Sequence, residues 1–152
     1  MPVIITAERP DTTDAIQLIE DLEKELAGAY PPESRHGYSV DKLIKLKVAF
    51  FVSRVDGMPA GCGGVQLFGK DYGELKRMYV RPFFRGMGLA KLMLEQLTAH
   101  AREHDVHLLR LETGIDQHNA IALYEKWGFY KIAPFGEYKP DPLALFYEKQ
   151  ID

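Results

Sequence analysis

A turn with two glycines joins a predicted strand to a long predicted helix, and this junction constrains the fold more than any other segment. The strand is Glu74–Val80, the glycines are Gly86 and Gly88, and apolar residues at helical spacing predict a helix over 88–104. Glycine adopts positive φ readily and lets a ligand approach the backbone closely. A helix N-terminus presents free N–H groups and the positive end of its dipole, and Arg85 adds a positive charge there. The junction therefore predicts an α/β protein with an anion site that suits a pyrophosphate.

The rest of the chain alternates β-rich runs with amphipathic segments. The further strands predicted from these runs are Val3–Glu8, Lys47–Val55, Ala60–Phe68, Leu108–Thr113, Gly128–Pro134 and Leu143–Lys149. The further helices are predicted over Thr12–Ala27, Val40–Leu46 and Asn119–Trp127, and Asp56-Gly57 is a hairpin turn signal. This order predicts a mixed central sheet of about seven strands flanked by about four helices. No linker or repeat interrupts the pattern, so a single domain over residues 1–152 is expected.

Charge and cysteine content exclude several classes of function. The chain has 19 Lys and Arg against 22 Asp and Glu, and this formal charge of −3 disfavours nucleic acid as a partner. Its one cysteine, Cys62, excludes an intramolecular disulfide. His100 and His104 have a spacing that suits zinc, but Ala101 stands where the zincin pattern needs a glutamate, so no metal is expected. Without a signal peptide or a run long enough to span a membrane, a cytoplasmic protein with no membrane partner is expected.

Two motifs, in this order, resemble the acetyl-CoA-binding segments of the GCN5-related N-acetyltransferase (GNAT) superfamily. Residues 85–90 read Arg-Gly-Met-Gly-Leu-Ala and match the superfamily's pyrophosphate loop. In that loop a Gln or Arg is followed by Gly three residues later and by Gly or Ala five residues later. Residues 119–129 read Asn-Ala-Ile-Ala-Leu-Tyr-Glu-Lys-Trp-Gly-Phe and resemble its second conserved segment. The predicted order of strands and helices is also that of the superfamily, so the resemblance covers nearly the whole chain.

The resemblance implies a GNAT-like fold in which a splayed pair of parallel strands binds acetyl-CoA. By position, the splayed pair is Glu74–Val80 and Leu108–Thr113. The cofactor-binding residues that it implies are Met78, Tyr79 and Val80 on the first strand, the amides of Arg85, Gly86, Met87, Gly88, Leu89 and Ala90, and the Asn119 side chain.

The resemblance also implies direct transfer of the acetyl group to an amine, which needs an acid and a base. Tyr124 is expected to be the general acid for the departing thiolate, since a phenol with a pKa of about 10 is protonated at neutral pH. Its other interpretation is a core aromatic. Glu74 is expected to take the proton of the amine, or else to be a charge paired with Lys76 or Arg77. Glu112 is a second candidate for the base, or for binding a cationic substrate.

The acceptor site is implied in the loops Tyr30–Tyr38 and Phe135–Pro142, which mix acids, bases and tyrosines. The substrate-binding residues expected there and on the neighbouring strand are Glu33, Arg35, Glu112 and Tyr138. The acceptor is expected to be a primary amine of a small molecule or a peptide N-terminus, and the net charge mildly favours a cationic one. A homodimer is compatible with such a domain. Two other functions stay open: an acetyl-CoA-binding sensor module without turnover, and a nucleotide-phosphate-binding enzyme of another α/β type.

Overall fold

The alternation of β-rich and amphipathic segments produces seven strands and four helices, in the predicted order. A computed structural model describes residues 2–152, with strands β1 (Val3–Ala7), β2 (Ala49–Val55), β3 (Met58–Phe68), β4 (Tyr72–Val80), β5 (Leu108–Gly114), β6 (Tyr130–Ile132) and β7 (Ala144–Gln150). The helices are α1 (Thr13–Ala27), α2 (Val40–Lys45), α3 (Leu89–Glu103) and α4 (His118–Lys126). The longest of these helices have 15 residues, and every helix of residues 2–152 falls short of the length and apolar character needed to cross a bilayer.

Two predicted strands begin later than expected, because a backbone turn follows the helix that precedes each of them. The strand predicted from Lys47 begins at Ala49, since Lys47 has a φ of 55° and its N–H bonds to the Ile44 carbonyl at 3.1 Å. The strand predicted over Gly128–Pro134 is confined to β6, since Gly128 has a φ of 101° and ends α4. The hairpin predicted at Asp56-Gly57 is confirmed: both residues have positive φ, 49° and 81°, as a type I′ turn requires.

The strands form one mixed sheet in the order β1-β2-β3-β4-β5-β7-β6. Every neighbouring pair is antiparallel except β4 and β5, which are parallel. That parallel pair is short, with only Gly73 opposite Leu109 and Glu74 opposite Arg110. Beyond Glu74 the two strands separate, as the splayed pair predicted from the sequence requires.

Helices cover both faces of the sheet, so its central strands are buried on both sides, and β4 carries the buried charged residues Glu74, Lys76 and Arg77. On one face α3 packs Met93 and Leu97 against buried residues of β5 and β7, including Leu109 and Tyr147. On the other face α1 and α2 pack Leu18, Leu22 and Leu43 against Phe50 and Val52 of β2. The two layers hold β4 in the middle of the molecule, so the gap beside it opens into the interior.

Candidate active site

The gap between β4 and β5 contains the candidate active site. Past Glu74 the edge of β4 continues to Val80 without a β5 partner, a length of about 20 Å at the usual rise per residue. Arg81 N–H bonds to Ala60 of β3 at 2.8 Å, and successive amides alternate along a strand, so the Val80 amide faces the gap. A cavity of about 120 Å³ lies in the gap and is lined by residues of β4, β5 and α4. The gap thus offers unpaired backbone groups to an extended ligand.

A β-bulge distorts β4 in the wall of this cavity. Arg77 and Met78 both lie opposite Gly63, and Arg77 has a left-handed φ of 57°. The buried Arg77 guanidinium donates to the Tyr38 carbonyl at 2.9 Å and to the Glu23 carboxylate of α1. The bulge is therefore tied to both α1 and the loop that follows it.

The glycine turn at the start of α3 has the conformation expected for a phosphate loop. Gly86 and Gly88 have φ of 83° and 78°, and no heavy atom lies within 4 Å of a Cβ built on either residue. The Arg85 guanidinium has partners within the protein: it donates to the Val80 carbonyl at 3.0 Å and to the Glu25 carboxylate at 2.7 Å. Because Glu25 offsets the Arg85 charge, the backbone amides and the helix dipole are the main sources of positive potential in this loop.

The other residues expected to bind the cofactor differ in their surroundings. Met78 is half-buried and lines the cavity. The Tyr79 side chain is buried under α1, so only its backbone is near the gap. Asn119 lies exposed in the first turn of α4, between Gln117 and Ala120, which line the cavity.

Glu74 is held in a buried polar network beside the cavity. Its carboxylate accepts from the Lys76 ammonium at 2.9 Å and from the Tyr138 hydroxyl at 2.5 Å, while Lys76 also lies 2.9 Å from that hydroxyl. The residues Glu74 and Lys76 are only 3% and 6% exposed. Burial lowers the pKa of Lys76, against the opposing effect of Glu74, and burial together with the Glu74 charge raises the pKa of Tyr138. The ion pair with Lys76, one of the two sequence interpretations of Glu74, is present.

Glu112 lines the same cavity from β5, and its partner lies at a longer distance than those of Glu74. Its carboxylate lies 3.3 Å from Nδ1 of His36, which comes from the loop after α1. Burial raises the pKa of Glu112, and the nearby His36 reduces this effect without cancelling it.

Tyr124 of α4 also lines this cavity. It is 5% exposed and packs edge-on against Phe129, with ring centroids 5.6 Å apart. Burial raises the pKa of its phenol well above the ordinary value, so the hydroxyl keeps its proton at any pH near neutrality.

A second, larger cavity of about 1150 Å³ opens outside the Glu74 network. The loops after α1 and before β7 form much of its wall and contribute Glu33, Arg35 and Tyr138. Glu74, Lys76 and Tyr138 line both cavities and lie between them. Glu112 lines only the inner one, so the predicted substrate residues are divided between the two spaces.

The sequence did not indicate that Lys76, His36 and Tyr38 lie around Glu74 and Glu112. For Lys76 it predicts only a possible ion pair with Glu74, although their spacing of two on a strand places both side chains on one face. The Lys76 ammonium also lies 4.0 Å from the centroid of the Tyr38 ring. No short spacing connects His36 with Glu112, because the two are 76 residues apart in the chain. Cys62 is buried, and burial raises the pKa of its thiol to about 12.

Comparison with known proteins places these features in context. The Acetyltransferase (GNAT) family profile matches residues 16–129, which include both motifs. An IAA acetyltransferase from Azospirillum brasilense is 42% identical over 150 residues, or 98% of each chain. A Klebsiella pneumoniae structure named for acyl-CoA N-acyltransferase activity is 37% identical, with a TM-score of 0.81 over 99% of this chain and 98% of that chain. The PaiA N-acetyltransferase of Thermoplasma acidophilum, solved with coenzyme A, is 20% identical with a TM-score of 0.78 over 99% of each chain.

Removing one member of the buried Glu74–Lys76 pair is expected to destabilise the protein strongly. Lys76→Met leaves a buried carboxylate without its cation and should lower the free energy of unfolding by about 3–5 kcal/mol. The double variant Glu74→Gln/Lys76→Met should lose clearly less than the sum of the two single changes, as measured by urea unfolding at pH 7. The exposed pair Lys70–Asp105 is the control, and Lys70→Met should leave the unfolding midpoint unchanged. Additive losses at Glu74 and Lys76 would contradict this account.

Proposed function

The chain belongs to the GNAT acetyltransferase family, with acetyl-CoA as its co-substrate, as its motifs predict, and we propose that it transfers the acetyl group directly to a primary amine of a small molecule. The relative named IAA acetyltransferase, 42% identical over nearly the full length, favours a small-molecule acceptor. The single observation that carries the proposal is the gap between β4 and β5, whose cavity is lined by both Glu112 and Tyr124.

The residues around the gap fit acetyl-CoA. When bound, acetyl-CoA supplies an activated acetyl thioester. The unpaired edge of β4, with Met78 and the Val80 amide, suits the pantetheine arm, which then replaces the missing strand pairing. The amides of residues 85–90 suit the pyrophosphate, and Asn119 is positioned to reach the arm from α4. A strand amide at the bulge polarises the thioester carbonyl as a single oxyanion donor.

Glu112 is the base that we favour for the acceptor amine. Such an amine has a pKa of about 10, so its ammonium form must lose a proton before the nitrogen can attack. The Glu74 carboxylate already accepts from Lys76 and Tyr138, and taking up a proton would break those bonds. Glu112 is less occupied, and burial raises its pKa towards neutrality, which makes it a better proton acceptor. Glu74 then holds Lys76 and Tyr138 in position.

Tyr124 is the acid for the leaving sulfur. A thiolate leaving into a dry site has a raised proton affinity, and the phenol of Tyr124 stays protonated until it is needed. Glu112 takes one proton from the ammonium, the C–N bond forms as the C–S bond breaks, and Tyr124 donates its hydrogen to sulfur. The second amine proton restores Tyr124, and the first leaves through His36 to solvent. The products are an acetamide and the free thiol of CoA.

The proposal is tested by following CoA thiol release with a panel of acceptors. Small primary amines, including amino acids, polyamines and arylalkylamines, should release thiol together with an equal amount of acetamide detected by mass spectrometry. Release with peptide N-termini alone would overturn the small-molecule assignment. Saturable acetyl-CoA binding without release from any acceptor would favour the sensor module instead.

Removing the Tyr124 hydroxyl should slow turnover without weakening the binding of acetyl-CoA. Tyr124→Phe keeps the ring packed against Phe129 and is expected to lower kcat by about 10²–10³-fold, the usual contribution of a general acid. KM for acetyl-CoA should stay within twofold, as measured by thiol release. Tyr147→Phe is the matched control, since that buried hydroxyl bonds to Glu125, and its kcat should be unchanged. An unchanged kcat for Tyr124→Phe would remove the acid role.

The pH dependence of kcat/KM distinguishes Glu112 from Glu74. The base must be ionised, and burial raises the pKa of Glu112, so activity should rise with pH through an acidic limb set above the ordinary glutamate range. Glu112→Gln should abolish that limb and lower kcat/KM by about 10²-fold or more. Glu74→Gln should retain the limb, whatever its effect on stability. A limb lost in Glu74→Gln and kept in Glu112→Gln would reverse the assignment.

A further inference from the structure

Lys42 is a cation of the outer cavity without a carboxylate partner. It lies on α2 and lines the outer cavity, with its ammonium 4.4 Å from the centroid of the Tyr38 ring. The Lys76 ammonium lies 4.0 Å from the same centroid, so two cations share one aromatic ring. Lys42 belongs to none of the ion pairs formed by residues 2–152. Glu74 balances the Lys76 ammonium, so Lys42 is the cation at this ring that has no paired carboxylate within residues 2–152.

The guanidinium groups near this wall share one carboxylate. Arg35 and Arg77 both pair with Glu23, and the Arg35 contact is long, at 3.9 Å. Arg35 Nε is buried with no hydrogen-bond partner among residues 2–152, which is unfavourable for a desolvated donor. Arg35 lines both cavities, so its incompletely matched charge lies beside both spaces.

Acidic residues also line the outer cavity, but none of them pairs with Lys42. Glu33 and Glu137 are exposed, as Lys42 is, and neither forms an ion pair within residues 2–152. Asp141 accepts from the Leu143 backbone N–H at 2.8 Å. Glu74 is paired with Lys76. Lys42 therefore offers the outer wall an ammonium that no carboxylate of residues 2–152 holds in an ion pair, whereas Glu112 lines the inner cavity.

This polarity determines what an acceptor that spans both spaces must carry. An amine enters the inner cavity to reach Glu112, and the rest of the molecule stays in the outer cavity beside Lys42, Tyr38 and Tyr138. We propose that the acceptor is an amine that also carries a carboxylate, and that the Lys42 ammonium, together with Arg35, binds this carboxylate. The inference rests on the proposed function, since it names the acceptor class of the same site.

Matched acceptors that differ only in the carboxylate test the inference. The pairs are phenylalanine with 2-phenylethylamine and 4-aminobutyrate with propylamine, which place the acid at two distances from the nitrogen. With the wild-type enzyme, the carboxylate-bearing acceptor of at least one pair should have a kcat/KM at least tenfold higher than that of its partner without the carboxylate. Lys42→Met should lower kcat/KM for that acid about tenfold or more, through KM, and leave its decarboxylated partner within twofold. The comparison between enzymes cancels the different pKa values of the amines.

Lys45→Met is the control, because Lys45 lies exposed on the same helix and lines neither cavity. It should leave both members of each pair unchanged, and thermal unfolding should show that both variants fold as the wild type does. Equal use of both members of every pair, with no effect of Lys42→Met on their ratio, overturns the carboxylate inference and leaves the acetyltransfer proposal in place. Absence of thiol release with every acceptor overturns the proposed function and this inference with it.

Discussion

The end of pairing between β4 and β5 after Glu74 and Arg110 is the constraint on which the rest of the structure depends. A strand in the middle of a sheet has hydrogen-bonding groups on both sides, and leaving buried ones unpaired is unfavourable. Here β3 satisfies one side of β4 as far as Val80, while the other side is open to a cavity. A ligand with amide groups along an extended arm suits that edge. The sheet thus stays continuous through β3 and the first residues of β5, while one side of β4 past Glu74 has no strand partner.

Arg77 connects this vacant edge to the acceptor side. Its left-handed backbone forms the bulge, and its buried guanidinium holds Tyr38 and α1. A Cβ on Gly37 would clash with this guanidinium, so a larger residue there would displace it from Tyr38 and Glu23. The loop that follows α1 also carries Arg35 and His36. One side chain therefore sets the distance between the cofactor edge and the loop that faces the acceptor.

Local patterns predicted the fold and the glycine turn before α3, because those features are encoded by residues close in sequence. The two glycines before α3, the hairpin at Asp56-Gly57 and the order of strands and helices are of this kind. The polar network could not be predicted, because Tyr138 meets Glu74 from 64 residues away. Its existence depends on how the last loop folds over the sheet, which no short spacing encodes. The sequence therefore favoured Glu74 as the base with Glu112 as a second candidate, whereas their different partners lead us to propose Glu112.

The net charge of the chain and the charges that line the cavities favour different acceptors. A charge of −3 over the whole chain favours a cationic ligand at long range, but salt screens such effects within about 10 Å. Inside the cavities the nearest groups dominate: Glu112 with His36 at the inner end, and Lys42 with Arg35 at the outer wall. A molecule bearing an amine and a carboxylate matches both ends, whereas a simple polyamine would put a second cation beside Lys42. Selectivity thus arises from the separation of opposite charges along the site.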